Sequence, residues 1–144
     1  MPETKKILII DDDEKIRETV GMMIKCIYPS YEVKDASNGE EGEQAIDEYN
    51  PDLVITDLNM PVKKGTYVII KAKEKDTPVV LMTDSSLLKK QECEGSIDYI
   101  VDCMGAIGLV PDYILNKPFD GSDLQKAIET AFHASTNLEG NLQN

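Results

Sequence analysis

The sequence predicts an α/β fold, a doubly wound parallel sheet of five strands in the order 2-1-3-4-5. Three observations carry that expectation. Short apolar runs alternate with longer segments of helical periodicity, the pattern of repeated βαβ units. The runs are rich in Ile, Leu and Val without polar alternation, as strands covered on both faces are. Four of them end on a carboxylate, a hydroxyl or an ammonium: Ile7-Leu8-Ile9-Ile10-Asp11-Asp12-Asp13, Leu53-Val54-Ile55-Thr56-Asp57, Val79-Val80-Leu81-Met82-Thr83 and Tyr113-Ile114-Leu115-Asn116-Lys117-Pro118. Strands of an open parallel sheet point their C-terminal ends at one edge, and ligands bind in the crevice there.

Strand 1 is expected at residues 6–11. The first helix follows at 14–28, with Ile16, Val20, Met23 and Ile27 at three-to-four spacing, Asp12 or Asp13 as its cap and Pro29 closing it. Strand 2 is expected at 32–36, and Asn38-Gly39 turns the chain into an acidic helix at 40–49, which Asn50-Pro51 stops. Strand 3 at 53–57 runs into Asp57. Asn59-Met60-Pro61 forms a loop, and Gly65 lets the chain enter a third helix at 66–75. Thr77-Pro78 introduces strand 4 at 79–83, and strand 5 lies at 113–116.

Between Thr83 and Lys117 the pattern is an extended helical region. Leu87 and Leu88 mark one helix, Gly95-Ser96 breaks it, and Ile97, Ile100, Val101 and Met104 repeat at helical spacing. Residues 105–111 read as a loop. The last helix, at 122–134, is capped by Asp120 or Ser122 and buries Leu124, Ala127, Ile128 and Ala131. Residues 135–144 are polar and without periodicity, so they read as a disordered tail or the stub of a linker. The domain therefore spans 5–134.

A chain of 144 residues supports one domain with one core. Its 15 basic and 27 acidic residues give a net charge of −12, which argues against direct nucleic-acid contact by this domain. No apolar run approaches the roughly 18 to 20 residues a membrane span needs, and the opening run is too short for a signal peptide. Cys26, Cys93 and Cys103 lack metal-ligand spacing, and reduced thiols in a cytoplasmic protein are the expectation.

Three acids, a threonine and a lysine at one edge suggest a divalent cation and a phosphoryl group. A hard cation such as Mg²⁺ takes oxygen ligands in octahedral geometry and keeps several waters. Asp12 and Asp57 suit direct ligation, Asp11 sits behind them or reaches through water, and Asn59 offers its main-chain carbonyl. The Asp57 carboxylate can attack phosphorus as a nucleophile once nearby positive charge offsets the incoming phosphate. Thr83 can donate its hydroxyl to one phosphoryl oxygen, and Lys117 can pair with another as a point charge. Pro118 disfavours helix at Lys117 and keeps it extended. Each part alone has a plainer explanation. Acidic residues before a helix complement its dipole, and turns favour Asp and Thr at strand ends. The joint pattern discriminates, because the loaded ends fall at strands 1, 3, 4 and 5 and none at strand 2.

These residues closely resemble the receiver domain of two-component response regulators, the CheY-like family. Residues 7–13 are similar to its opening strand with an acidic pair. Asp57-Leu58-Asn59-Met60-Pro61 followed by Gly65 resembles its phosphoacceptor segment. Val79 to Thr83 and Asn116-Lys117-Pro118-Phe119 resemble its Thr and Lys-Pro-Phe segments, and Tyr31-Glu32-Val33 with Ala36-Ser37-Asn38-Gly39 its second strand and turn. The resemblance covers residues 5–134. It implies a flavodoxin-like fold and Mg²⁺-dependent phosphotransfer from a sensor histidine kinase or histidine phosphotransfer protein onto Asp57, with later hydrolysis of the acyl phosphate. By position, Asp11 and Asp12 take the acidic-pair role, Asp57 the acceptor role, Thr83 the hydroxyl role and Lys117 the lysine role. A downstream protein target or output domain is implied as well. The role is signalling, not enzymatic turnover.

The chain departs from the family pattern in three places. Asp84 follows the Thr where a small residue is usual. The switch aromatic usually sits three residues before the Lys, where this chain has Ile114, with Tyr113 one residue earlier. Strand alternation puts Tyr113 on the opposite face from that position. Lys117 follows Thr83 by 34 residues, a longer interval than usual, so the signalling face is expected to be remodelled.

Two other functions compete. A haloacid-dehalogenase-like phosphatase needs a second acid two residues after the nucleophile, and Asn59 stands there. A silent pseudo-receiver acts only through protein contacts, and Asp84 is the residue that favours it. A flavodoxin is disfavoured, because the acidic run after strand 1 repels a flavin phosphate.

Overall fold

In the computed structural model, which describes residues 4–58, 60, 65–84 and 111–143, five parallel strands form one sheet in the order β2-β1-β3-β4-β5. The strands are β1 Lys6–Ile10, β2 Glu32–Ala36, β3 Leu53–Asp57, β4 Val79–Asp84 and β5 Tyr113–Lys117. The helices among the described residues are α1 Glu14–Ile27, α2 Gly39–Tyr49, α3 Gly65–Glu74 and α4 Gly121–Gln143. The expected α/β architecture and strand order hold. The loop at Asn59 and the helical region at 85–110 lie outside the described residues.

Local chemistry sets the helix ends. The Asp13 carboxylate accepts from the Lys15 amide and starts α1. Asn38 caps α2 by accepting from the Glu41 amide, while Glu41 reaches back to the Ser37 amide and hydroxyl. Asn50 ends α2 at φ 51°, a left-handed position that Asn tolerates, and its N–H donates to the Ile46 carbonyl. Asp120 and Asp123 cap α4 reciprocally, each side chain accepting from the other's amide, which decides between the two expected caps. Helix α4 runs past the expected end at residue 134. The nine residues that follow hold no proline, so each can add one hydrogen bond to a helix already nucleated.

The core has two halves, one on each sheet face, and strand alternation sorts the residues between them. Ile7, Ile9, Leu53, Ile55, Val80, Met82 and Leu115 pack with α1 and α4, through Val20, Ile24, Leu124, Ala127, Ile128 and Ala131. Leu8, Ile10, Val54, Val79 and Leu81 pack with α2 and α3. The four expected core residues of the last helix are all fully buried. Full burial of one such aliphatic side chain contributes about 1.5–3 kcal/mol, so the two halves fix which way every strand residue faces.

That phase sets the site. Asp11, Asp57 and Lys117 continue the alternation of Ile9, Ile55 and Leu115, so they emerge on the α1/α4 side of the edge. Thr83 continues the alternation of Leu81, which packs on the α2/α3 side.

Candidate functional site

Asp11 leaves β1 with 1% of its surface exposed and every polar atom engaged. Its N–H donates to the Ala36 carbonyl at 3.2 Å, and its carbonyl accepts from Arg17 Nη1 at 2.7 Å. Oδ1 accepts from the Asp13 amide and Oδ2 from Lys117 Nζ, both at 2.9 Å. Asp12 is exposed beside it.

Asp57 is buried at the end of β3. Its Oδ1 accepts from the Leu58 amide at 3.0 Å and lies 3.4 Å from Lys117 Nζ. Both neighbours use the same oxygen, so Oδ2 is left open among the described residues. The Asp57 main chain is held too. Its carbonyl accepts from the Thr56 hydroxyl at 3.0 Å. Gly65 packs directly over that carbonyl and donates its N–H to the Leu58 carbonyl at 2.9 Å. A Cβ at position 65 would collide with the Asp57 carbonyl oxygen and come within 3.0 Å of Leu58 Cα, so the close approach requires glycine.

One carboxylate oxygen from each of Asp11, Asp12 and Asp57 falls within 4.8 Å of the others. Burial pushes the Asp57 carboxyl up to about 6; Lys117 pulls it down and the Asp11 charge pushes it up further. Burial works against the Lys117 ammonium, but its hydrogen bonds to Asp11 and Asp57 and their charges outweigh that and raise its pKa. The three carboxylates are thus a concentration of negative charge that one ammonium only partly offsets.

Thr83 is buried at the same edge. Met82 pairs with Asp57 across the sheet, so Thr83 stands one residue further toward the C-terminal edge. Asp84 closes β4 and pairs in register with Lys117, whose bond to Pro118 is cis. The direction of the Asp84 carboxylate and the Asn59 carbonyl lie outside what is described. Tyr113 packs against the α1/α4 half of the core, on the face opposite Thr83, as its place in the alternation predicts. Ile114 pairs with Leu81 and holds the position on the Thr83 side.

Sequence reasoning alone does not identify Arg17, Asp35 or the packing of Gly65 on Asp57. Arg17 Nε is paired with Asp35 Oδ2 at 2.9 Å while Nη1 holds Asp11. A signal for Arg17 exists in the sequence. It lies near the N-terminal end of α1, where the helix dipole disfavours a cation and so favours an anionic or carbonyl partner for it.

A family model described as the response regulator receiver domain matches residues 7–129. Among curated proteins, the transcriptional regulatory protein YdfI of Bacillus subtilis is 35% identical over 79 residues, covering 54% of this chain and 37% of that protein. The transcriptional regulatory protein SrrA of Staphylococcus aureus is 33% identical over 103 residues, 68% of this chain and 42% of that protein. The chain thus spans about two fifths of the length of these relatives. Among solved structures, the chemotaxis response regulator CheY4 of Vibrio cholerae is 26% identical with a TM-score of 0.69, over 90% of this chain and 99% of that one. The signal receiver domain of a LuxO repressor from Vibrio parahaemolyticus, at 21% identity and a TM-score of 0.74 over 99% of both chains, shares the fold.

Proposed function

The chain belongs to the response regulator receiver family, and from that premise we propose that it takes a phosphoryl group from a phosphohistidine onto Asp57. The observation that supports this most is the meeting of Asp11, Asp12 and Asp57 with Lys117 between two of them. Two-component signalling, not enzymatic turnover, is the family's role.

The donor set fits a hard divalent cation. Three carboxylates converge, and Lys117, the one ammonium paired with them among the described residues, leaves their charge incompletely neutralised. Asp11, Asp12 and Asp57 are the residues to hold Mg²⁺, together with the main-chain carbonyl of Asn59. Bound there, Mg²⁺ supplies the positive charge that lets a phosphate anion approach an acidic pocket.

The chain's own groups do the rest. An Asp57 carboxylate oxygen attacks phosphorus with its lone pair, forming a P–O bond as the P–N bond to the donor imidazole breaks. The imidazole leaves with that electron pair. Oδ2 of Asp57, which none of the described residues holds, suits this, since its partner oxygen is already held by Leu58 and Lys117. Lys117 pairs with a phosphoryl oxygen after yielding part of its contact with Asp57, and the Thr83 hydroxyl donates to another. Water later cleaves the acyl phosphate and restores the carboxylate.

The partners in this reading are a sensor histidine kinase or a histidine phosphotransfer protein upstream and a protein target or output domain downstream, in the cytoplasm. The relatives' names make them transcriptional regulators, and a transcriptional output downstream of this domain is part of the proposal. Among the described residues no helix is long and apolar enough to cross a membrane.

A second reading, an interaction module that works without phosphorylation, has one observation in its favour. Tyr113 lies on the α1/α4 face, so Ile114, not an aromatic, holds the position on the Thr83 side. Beryllofluoride with Mg²⁺ separates the two. The first reading expects an Mg²⁺-dependent spectral change in the wild type that Asp57→Ala abolishes. No change in the wild type, or an equal change in both proteins, sinks it.

A further inference from the structure

We propose that Arg17 is a positioning residue for the acidic cation site, acting through the peptide that joins Asp11 to Asp12. The inference rests on the cation-site reading above. The Asp11 carbonyl and the Asp12 amide belong to one planar peptide unit, so whatever fixes that carbonyl also fixes the Asp12 nitrogen and Cα from which its side chain departs. Arg17 Nη1 holds the carbonyl at 2.7 Å, a charge-assisted hydrogen bond.

The guanidinium is itself held. Its Nε pairs with Asp35 Oδ2 at 2.9 Å, and the Arg17 side chain is only 14% exposed although Asp35 is 56% exposed. Asp35 lies next to Ala36, whose carbonyl accepts the Asp11 amide. The end of β2 therefore grips Asp11 on both sides, directly through Ala36 and through Asp35 and Arg17. Strand 2 brings no ligand to the edge, yet it supplies the frame for two of them. Asp11 is oriented by four separate partners, whereas Asp12 is exposed at the rim. Asp12 is the ligand with most to lose if its peptide turns.

Charge and geometry make opposite demands on Arg17, which gives the test its sign. A fixed positive charge beside Asp11 weakens cation binding by repulsion. Removing it tightens binding if Arg17 is only a neighbouring charge. Removing it loosens binding if Arg17 holds the peptide.

The experiment titrates the full chain with MgCl₂ by isothermal calorimetry in the wild type, Arg17→Met and Arg17→Lys, with thermal unfolding of each in chelator. The methionine keeps much of the apolar stem. The lysine keeps the charge but cannot bridge the Asp11 carbonyl and Asp35 in one plane. Positioning predicts an Mg²⁺ affinity about 10-fold weaker in Arg17→Met, an intermediate loss in Arg17→Lys, and unfolding temperatures in chelator that do not follow that order. Tighter or equal binding in Arg17→Met overturns the proposal. If Arg17→Met does not fold, Arg17→Lys decides, and an unchanged affinity there overturns it. A wild type that binds Mg²⁺ but accepts no phosphoryl group sinks the phosphoacceptor reading and leaves the role of Arg17 standing. A wild type without measurable Mg²⁺ binding overturns both.

Discussion

Lys117 Nζ lies 2.9 Å from Asp11 Oδ2 and 3.4 Å from Asp57 Oδ1, so one ammonium spans carboxylates brought by two other strands. Removing it as Lys117→Met leaves both acids without their counter-charge in a mostly buried place. In chelator at neutral pH the expected loss is about 3 kcal/mol, the scale for breaking a buried ion pair from one side. Under the proposed function Mg²⁺ binds the folded chain in preference to the unfolded one, and should then restore part of that loss. Urea unfolding with chelator and with Mg²⁺ checks both halves. A loss under about 1 kcal/mol means that solvent already screens the acids.

Burial is the largest cause of the raised Asp57 pKa, which stands at about 6 against an ordinary 3.8. The folded state therefore holds this proton over a range where the unfolded chain has released it. Stability from the group is fully present below about pH 4 and lost as pH rises through about 6, a change on the order of 3 kcal/mol. In chelator, Asp57→Asn should be more stable than the wild type at pH 7.5 and lose that advantage near pH 4. Unfolding free energies of the two proteins across pH 4 to 8 provide the comparison, and parallel curves would contradict the burial of Asp57.

Gly65→Ala is expected to destabilise although alanine is the better helix former by about 1 kcal/mol. The added methyl meets main-chain atoms of Asp57 and Leu58, which cannot swing away as a side-chain tip can. A cost of about 1–3 kcal/mol is expected, together with weaker Mg²⁺ binding as Asp57 is displaced. A stabilised variant with unchanged Mg²⁺ affinity would show that the turn relaxes freely.

Gly42 seats α2 against β1. A Cβ there would lie 2.5 Å from Ile10 Cδ1 and 3.2 Å from its Cγ1, and Ile10 is fully buried. Gly42→Ala should cost about 1–2 kcal/mol and Ile10→Val about 1 kcal/mol. The double variant should cost less than the two together by about 1 kcal/mol, because the valine lacks the Cδ1 that the new methyl strikes. Additive losses would place the strain elsewhere.

Strands β2 and β3 lie at the residues their apolar runs and turns predict, and Asp13 and Asn38 cap their helices as their residue types favour. These features are legible because neighbours a few residues apart decide them. Tyr113 was placed on its face by alternation alone. The far end of α4 was not legible, since Ser135, Thr136 and Asn137 neither favour nor forbid a helix that is already propagating. The meeting of Asp11, Asp57 and Lys117 could be read from strand ends once the sheet order was set. The grip of Arg17 on the Asp11 carbonyl could not, because it depends on α1 lying over the ends of two strands. The contact of Gly65 with the Asp57 carbonyl is equally tertiary.

The shared phase of Asp11, Asp57 and Lys117 has a consequence for how the molecule matures. A slip of β1, β3 or β5 by one residue turns that strand's loaded end to the opposite side of the sheet. In β1 such a slip exchanges one aliphatic pair for another, because Ile7 and Ile9 face one half of the core and Leu8 and Ile10 the other. The fit of the two core halves opposes such a slip, and the charged ends oppose it further. A cation added during refolding should therefore act as a proofreader, selecting the molecules whose three strands are aligned.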